Sequence, residues 1–586
     1  MSRARFQYLR SQDDWLFSVL HLPEHDPSGI GVLFCPPVGW DEVPSYRSRR
    51  EWAQHLAASG HAALRIDLPG EGDSSGGPKD PDRFAAWTAA ASSAADWLRA
   101  TADCRRVVAI GIGIGGLIAH EAVRHGAAID DLVLWATPAR GRTYLRELRA
   151  FALLEENQAV PEGTVVPPAP DDGALAPGGF LLSAATMAAL KEIDLVKNPL
   201  ADASGRRVLL IERDGLPISD NLEQCLSDAG AEVETSPGPG FGAMTAEPHA
   251  AQAPRQVFSR VDRWLVRADT TLPAAAPRAT VESAEHMDLD VGGVTVRERA
   301  IRFESPGGEM FGILAEPVGR PSAAITFGLL NAGAIRRVGP NRMWVDIARR
   351  WAARGVPTLR LDVASVGDAD GDSARYANVR GFYVPEIVDH VRGALTGVAR
   401  ETGSDRFVLA GLCSGAYWAF HAALEDSRVE KAVMVNPRLL YWDNALEIRR
   451  ETVRLRRQSL RSIGRRIASG EARSHRARRL LRLTGTMMLT LPLRLAARRA
   501  PKSLDQAARA FDDLLARGGS ATFMFSGYEP LHDEFELAGL FPPDRWPNIE
   551  LVDLPGFSHT FVPRWTQAPL VAALDAALED VLAQEP

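Results

Sequence analysis

A cysteine framed by glycines is the group in this chain best placed for chemistry. In Gly411-Leu412-Cys413-Ser414-Gly415 an apolar run, Phe407 to Ala410, leads in, and a helical-looking segment, Ala416 to Leu424, leads out. Small residues around the apex let the backbone take a strained strand-to-helix turn that lifts one side chain clear of a sheet. The lifted group here is a thiol. Beside a helix N-terminus and a base it gains thiolate character and becomes an acyl acceptor. The alternative is a structural thiol, because free cysteine packs well in apolar cores.

A nucleophile also needs a base, an acid to orient it and donors for an oxyanion. His559 stands in the turn Gly556-Phe557-Ser558-His559-Thr560-Phe561, just past the strand-like Glu550-Leu551-Val552. Two carboxylates, Glu529 and Asp533, follow a strand-like run ending at Phe525. Taken alone, a loop histidine is more often solvated and these acids more often surface groups.

The scaffold that would unite them is written twice. In the first half the order is a strand Gly31 to Cys35, a helix through Trp52 and Leu56 to Gly60, and a strand Ala63 to Asp67. A glycine-rich loop Gly70 to Ser74, a helix Phe84 to Leu98 and a strand Val107 to Ile110 complete it. The second half repeats the order with Ala324 to Phe327, a turn Asn331 to Ala334, a helix to Gly355, Thr358 to Asp362, and Phe407 to Ala410. Leu132 to Trp135 matches Ala432 to Val435, and after a long insertion Val208 to Ile211 matches Thr522 to Phe525. Strands alternating with helices predict a mostly parallel sheet covered on both faces. The expected division is a first domain at 1–267, a linker at 268–293 rich in Ala, Thr, Pro and acids, and a second domain at 294–586.

This arrangement resembles the α/β-hydrolase fold twice over. More narrowly, the second half, with its Gly-Leu-Cys elbow, resembles the type 1 alpha/beta hydrolases associated with exosortase A systems. The first half resembles the type 2 hydrolases of those systems through Phe34-Cys35-Pro36-Pro37, Asp67-Leu68-Pro69-Gly70 and Gly178-Gly179-Phe180-Leu181-Leu182-Ser183. The resemblance implies a fold and the order nucleophile, acid, histidine, but no particular substrate. On that order His559 takes the base position. Glu529, where the family usually has Asp, is the first choice of acid and Asp533 the second. One oxyanion donor is implied at the Ser414 amide. The other is implied in the turn 331–335, whose Gly333 and Ala334 let N–H groups approach a developing negative charge. Asp362 is expected to bond loop N–H groups rather than react.

The first half fails the same test. Its elbow, Gly111-Ile112-Gly113-Ile114-Gly115-Gly116, carries Gly113 at the apex, and Gly240-Phe241-Gly242-Ala243 stands where the second half has Gly556 to His559. Asp214 survives near the acid position, and an acid alone transfers no acyl group. The first half reads as a pseudoenzyme that packs on the second. Gly111-x-Gly113-x-x-Gly116 also fits a dinucleotide fingerprint, but it follows a late strand, and the next strand ends without the required acid.

The rest of the chain bounds the partners. Its 586 residues, 46% hydrophobic and 24% charged, fit a globular protein of more than one domain. Four scattered cysteines suit neither a disulfide framework nor a metal cluster, and the chemistry read here calls for no cofactor. Met1 to Gln7 lacks an apolar signal core, so a cytoplasmic protein is expected. From Arg449 to Arg499 there are 16 arginines against Glu451 and Glu471, a net +14 that leaves −21 for the rest of a chain of charge −7. This basic cap, expected at about 438–518, has three readings. Its arginines, among them Arg449, Arg456, Arg457 and Arg465, serve as a solvated lid. Or they receive the phosphates of coenzyme A or a carrier protein bearing the acyl (thio)ester. Or they meet an anionic membrane surface peripherally. Nucleic acid fits poorly, with no recognised module and an acidic remainder. The rival to an enzyme is a non-catalytic scaffold binding through the cap.

Overall fold

The apolar runs become the centres of two nine-stranded sheets. The computed structural model describes residues 4–156, 172–200, 203–266, 280–305, 308–443, 502–527, 529–556 and 558–583. The first sheet contains β1 (Arg5–Ser11), β2 (Asp14–His21), β3 (Ile30–Cys35), β4 (Ala62–Ile66), β5 (Arg106–Ile112), β6 (Asp131–Trp135), β7 (Arg207–Ile211), β8 (Glu232–Ser236) and β9 (Ser283–Ala284). Its spatial order is β8-β7-β6-β5-β3-β4-β2-β1-β9. The second contains β10 (His286–Val291), β11 (Val294–Ser305), β12 (Gly308–Pro317), β13 (Ile325–Leu330), β14 (Thr358–Asp362), β15 (Arg406–Leu412), β16 (Val429–Val435), β17 (Ser520–Ser526) and β18 (Ile549–Leu554). Its order is β10-β11-β12-β14-β13-β15-β16-β17-β18.

In both sheets an antiparallel edge leads into parallel strands, with the same exchange of neighbours at β4/β3 and β14/β13. The central strands β5 and β15 are almost wholly buried, as parallel strands with helices on both faces must be. Each sheet accordingly separates two apolar cores, one per face.

Two expectations need correction. The linker expected at 268–293 holds β9 and β10. His286-Met287-Asp288-Leu289-Asp290-Val291 alternates with period two and buries Met287 completely. It closes on β11 through Gly292-Gly293, both at positive φ (64° and 82°), as a two-residue hairpin turn demands. The cap expected to about 518 ends earlier, because the helix Lys502–Ala516 is an integral layer. It buries Ala507, Ala510, Phe511 and Leu514 in the second half's core. The cap arginines Arg449, Arg456, Arg457 and Arg465 lie outside the described residues.

The halves meet through their antiparallel edges and the loops beyond β4 and β14. Tyr8, Phe17, Val19, Met287, Phe311 and Ile313 form an apolar seam between them. Beside the seam lies a buried charge cluster with internal twofold character. Arg65 donates to Asp368 (2.6 Å) and Arg360 donates to Asp73, and Arg47 donates to the Gly371 carbonyl (2.7 Å) as Arg342 does to that of Gly76 (2.9 Å). The shift that carries Arg65 to Arg360, Asp73 to Asp368, Arg47 to Arg342 and Gly76 to Gly371 is 295 residues each time. Reciprocal contacts of this kind are those of a twofold dimer, here within one chain. Burial opposes the charge on Asp73 and Asp368, yet their arginines hold both carboxyls well below the usual range. Removing one partner from such a cluster costs about 3–5 kcal/mol, because the other charge is left buried alone.

Candidate active site

The elbow forms because glycine flanks it. A Cβ on Gly411 would collide with the Gly415 carbonyl, and one on Gly415 would press on the Leu330 and Asn331 carbonyls (2.6 and 2.7 Å). Between them Cys413 takes φ 57° and ψ −109°, a region that L side chains avoid, at the end of β15 and the start of the helix Ser414–Glu425. The Cys413 amide donates to the Val435 carbonyl (3.0 Å), which fixes the turn to β16.

His559 is the neighbour that acts most strongly on the Cys413 thiol. Its Nδ1 lies 2.9 and 3.0 Å from the two oxygens of Glu529, which leaves Nε2 as the ring nitrogen available to the thiol. Glu529 is buried and sits at the N-cap of the helix Pro530–Leu537, where Pro530 starts the helix and ends the loop from β17. His559 itself is 37% exposed. Burial alone pushes the Cys413 thiol up. The charge of His559, hydrogen bonds from His559 and Tyr383, and the charge of Arg438 outweigh it, and the thiol titrates below its ordinary value. Burial likewise opposes charge on His559, but Cys413 and Glu529 raise the imidazole well above its usual range. Both shifts favour the charged pair, thiolate and imidazolium, over the neutral one.

Asp533 does not join this relay. It projects from the first turn of the same helix, 64% exposed, toward His532 (3.8 Å). The turn 331–335 also differs in part from expectation. The Gly333 amide donates to Ser414 Oγ (2.8 Å), so this N–H is engaged within the protein. The hydroxyl of the residue after the nucleophile reaches back across the cleft and satisfies it. Ser414 presents its own amide as the first of its helix, one of the N–H groups a helix leaves without an internal partner. Ala334 sits partly buried on the same turn. Asp362 behaves as expected, accepting from the amides of Arg337 (2.6 Å) and Asp368 (3.0 Å).

Two further groups had no signal in the sequence. Tyr383 places its hydroxyl 3.9 Å from the Cys413 sulfur. The turn Val379–Phe382 presents it, pinned by a hydrogen bond from Trp418 Nε1 to the Phe382 carbonyl (2.6 Å), and its ring lies against Tyr417 and Trp442. Asn436, fully buried, donates from Nδ2 to the His559 carbonyl (2.9 Å) and to Ser526 Oγ (2.7 Å), and accepts from the Ser526 amide (2.8 Å). It ties the ends of β16 and β17 to the histidine loop. The Asn-Pro pair ending β16 is visible in the sequence, but not what its carboxamide reaches.

The first half keeps the elbow with glycine at its apex. Gly113 holds φ 56° and ψ −122°. Asp214 accepts from the amides of Gly240 (2.5 Å), Phe241 (3.2 Å) and Gly242 (2.7 Å), and so binds the loop where the other half has its histidine.

The profile of the family described as Hydrolase_4, serine aminopeptidase S33, matches residues 45–190, inside the first half. No curated protein matches the chain. Among solved structures the chain is similar to Est1E from Butyrivibrio proteoclasticus with bound ferulic acid (16% identity, 44% of this chain and 98% of that one, TM-score 0.32). It is also similar to an alpha-beta serine hydrolase homologue from Coxiella burnetii (16%, 48% and 97%, TM-score 0.29). A third is a dienelactone hydrolase from Anabaena variabilis (14%, 50% and 96%, TM-score 0.30). No helix among the described residues is long and apolar enough to cross a membrane. With its strand order and this profile match, the chain has the α/β-hydrolase fold.

Proposed function

We propose that the protein is a cysteine-dependent acyl-transfer enzyme acting on an ester or thioester, with its working site in the second half and a first half that does no chemistry of its own. One observation supports this above all: Glu529 orients His559, His559 lowers the titration of the Cys413 thiol, and that thiol stands at the apex of a strained turn.

In this mechanism the Cys413 thiolate attacks the carbonyl carbon, forming a C–S bond as the carbonyl π pair moves to oxygen. The Ser414 amide, the Ala334 amide of the turn 331–335 and the Tyr383 hydroxyl donate to that oxyanion. Collapse expels the alkoxide or thiolate, which takes the proton from His559 Nε2. A thioester on Cys413 and a neutral imidazole remain. Water, or an amine or alcohol acceptor, gives its proton to His559 as it attacks the thioester. The second collapse releases the product and restores thiolate and imidazolium. Glu529 holds the imidazole tautomer and its charge throughout. The basic stretch from Arg449 to Arg499 favours donors with a phosphate handle, such as coenzyme A or a phosphopantetheinyl carrier.

The test is intact mass after mixing with a short activated ester or thioester. The expected result is one acyl group added, lost in Cys413→Ala. No adduct on the wild-type chain, together with a Cys413 no more reactive than free cysteine, overturns the reading. Products with and without an added amine separate transfer from hydrolysis.

A further inference from the structure

We propose that the first half of the chain positions the oxyanion turn of the second, through Arg336 and Arg337. The proposal rests on the acyl-transfer reading and adds to it what the inactive half does for the active one.

Donors for an oxyanion must be held in place before the charge develops. Within the second half the turn 331–335 is held by backbone bonds, from the Gly333 amide to Ser414 Oγ (2.8 Å) and from the Ile335 amide to the Ala332 carbonyl (3.1 Å). Ala332, Gly333 and Ala334 carry no side chain able to anchor, and Gly333 sits at φ 54°. Its leading end is fixed by β13, whose Leu330 pairs with Gly411 of the elbow strand. Its trailing end runs into Arg336 and Arg337, both buried.

Among the described residues the Arg336 guanidinium bonds to the first half. Its Nη1 lies 3.0 Å from Asp67 and 3.1 Å from Asp73, and its Nη2 lies 3.2 Å from both Glu42 and Asp67. Its guanidinium covers the Tyr46 ring at 4.0 Å. Arg337 divides its bonds, with Asp73 at 2.7 Å from one half and Asp362 and Asp368 at 2.6 and 3.0 Å from the other. Farther on, Arg342 donates to the carbonyls of Gly72, Ser74 and Gly76.

A second contact reaches the histidine loop. Gly179 of the first half packs so closely on Asn341 Nδ2 and the Val562 carbonyl that a Cβ there would overlap both. Asn341 donates to that carbonyl (3.3 Å), three residues beyond His559.

The internal twofold breaks at the turn itself. The 295-residue shift that pairs Arg47 with Arg342 sets Arg336 and Arg337 against Asp41 and Glu42. The two halves thus carry opposite charges at this one place. Cations follow the turn in the half that keeps the thiol, and acids follow it in the half that lost one.

The experiment uses the full chain as wild type, Arg336→Gln, Arg336→Lys and, as a control in the same interface away from the turn, Arg47→Gln. Three readouts are taken: amide hydrogen exchange over 331–337 and over β15, single-turnover acylation by an activated ester, and alkylation of Cys413 by iodoacetamide, which needs no oxyanion donor. Arg336→Gln is expected to speed exchange in 331–337 but not in β15. It should slow acylation about 10- to 100-fold while alkylation stays within about twofold. Arg47→Gln should leave the turn's exchange and the acylation rate as they are. Unchanged exchange at 331–337 in Arg336→Gln, or the same rise in Arg47→Gln, overturns the proposal. If Arg336→Gln loses protection in β15 as well, Arg336→Lys decides by the same criteria. A wild-type chain that forms no acyl-enzyme sinks the acyl-transfer reading instead, and the exchange comparison still decides whether the first half holds the turn.

Discussion

Gly113 and Cys413 share one backbone conformation, φ 56° and ψ −122° against φ 57° and ψ −109°, although only the second carries a side chain. Holding a side chain there costs about 1–3 kcal/mol, and glycine removes the cost. The first half holds the elbow's conformation with no side chain at its apex. A Cβ on Gly113 would meet nothing within 4 Å, so the space above it is open. Gly113→Cys combined with Cys413→Ala is therefore expected to fold, with its midpoint lowered by no more than the backbone strain. It should form no acyl-enzyme, because Ala243 stands where a base is needed. Intact mass with an activated ester checks this, and an acyl group mapped to position 113 would refute it.

The charge state of the pair sets a pH dependence. Because the Cys413 thiol titrates below its ordinary value, the thiolate persists as pH falls beneath about 8.5 and is lost only through the lowered pKa. In His559→Gln the opposing charge is gone while burial remains, so the thiol should titrate above the ordinary range. Iodoacetamide rates followed by mass from pH 5 to 10 are expected to show the wild-type inflection on the acid side and the variant's on the alkaline side. Coincident profiles would contradict the pairing.

Glu529 and Asp533 separate cleanly in space, and activity should separate them too. Glu529→Gln loses the charge that steadies the imidazolium, and acylation should fall about 100- to 10,000-fold. Asp533→Asn changes an exposed side chain that does not touch His559, and acylation should stay within about twofold. Single-turnover rates with one ester measure both. Equal losses would mean that the relay is wired differently.

What the sequence could show was local. Gly411 and Gly415 declare the elbow because a Cβ on the first would strike Gly415 and one on the second Leu330 and Asn331, and the apolar runs of β5 and β15 declare central strands. His559 and Glu529 were reachable through the order of elements. Gly333 was misjudged because its amide is taken by a hydroxyl more than 80 residues away, a pairing that no spacing encodes. Tyr383 and Asn436 act through contacts made only when distant loops converge. The arginines Arg336 and Arg337 gave no sign at all, since the partners of the first, and one partner of the second, belong to the other half. The β10 strand was lost within acids and alanines, although its period-two pattern and Gly292-Gly293 turn were present.

Tyr383 offers its hydroxyl beside the reacting sulfur, within reach of an oxygen one bond beyond the new C–S bond. A donor lost from such a position slows acylation, and Tyr383→Phe should lower it about 10- to 100-fold with little change in KM. The ring packing against Tyr417 and Trp442 survives this change, so the melting midpoint should hold. An unaltered acylation rate would remove Tyr383 from the mechanism.

Asn436 joins three elements with one carboxamide, and removing it separates stability from chemistry in a readable way. Asn436→Ala leaves the buried Ser526 amide without its acceptor and the His559 carbonyl without its donor, at a cost of about 1–3 kcal/mol. Asn436→Asp keeps the acceptor for Ser526 but turns the donor toward His559 into a carboxylate oxygen facing a carbonyl. Both variants should melt earlier. If the carboxamide also sets the imidazole against sulfur, both should acylate more slowly and lose the acid-side shift in Cys413 alkylation. An earlier melt with wild-type acylation and wild-type alkylation would confine Asn436 to holding the strands.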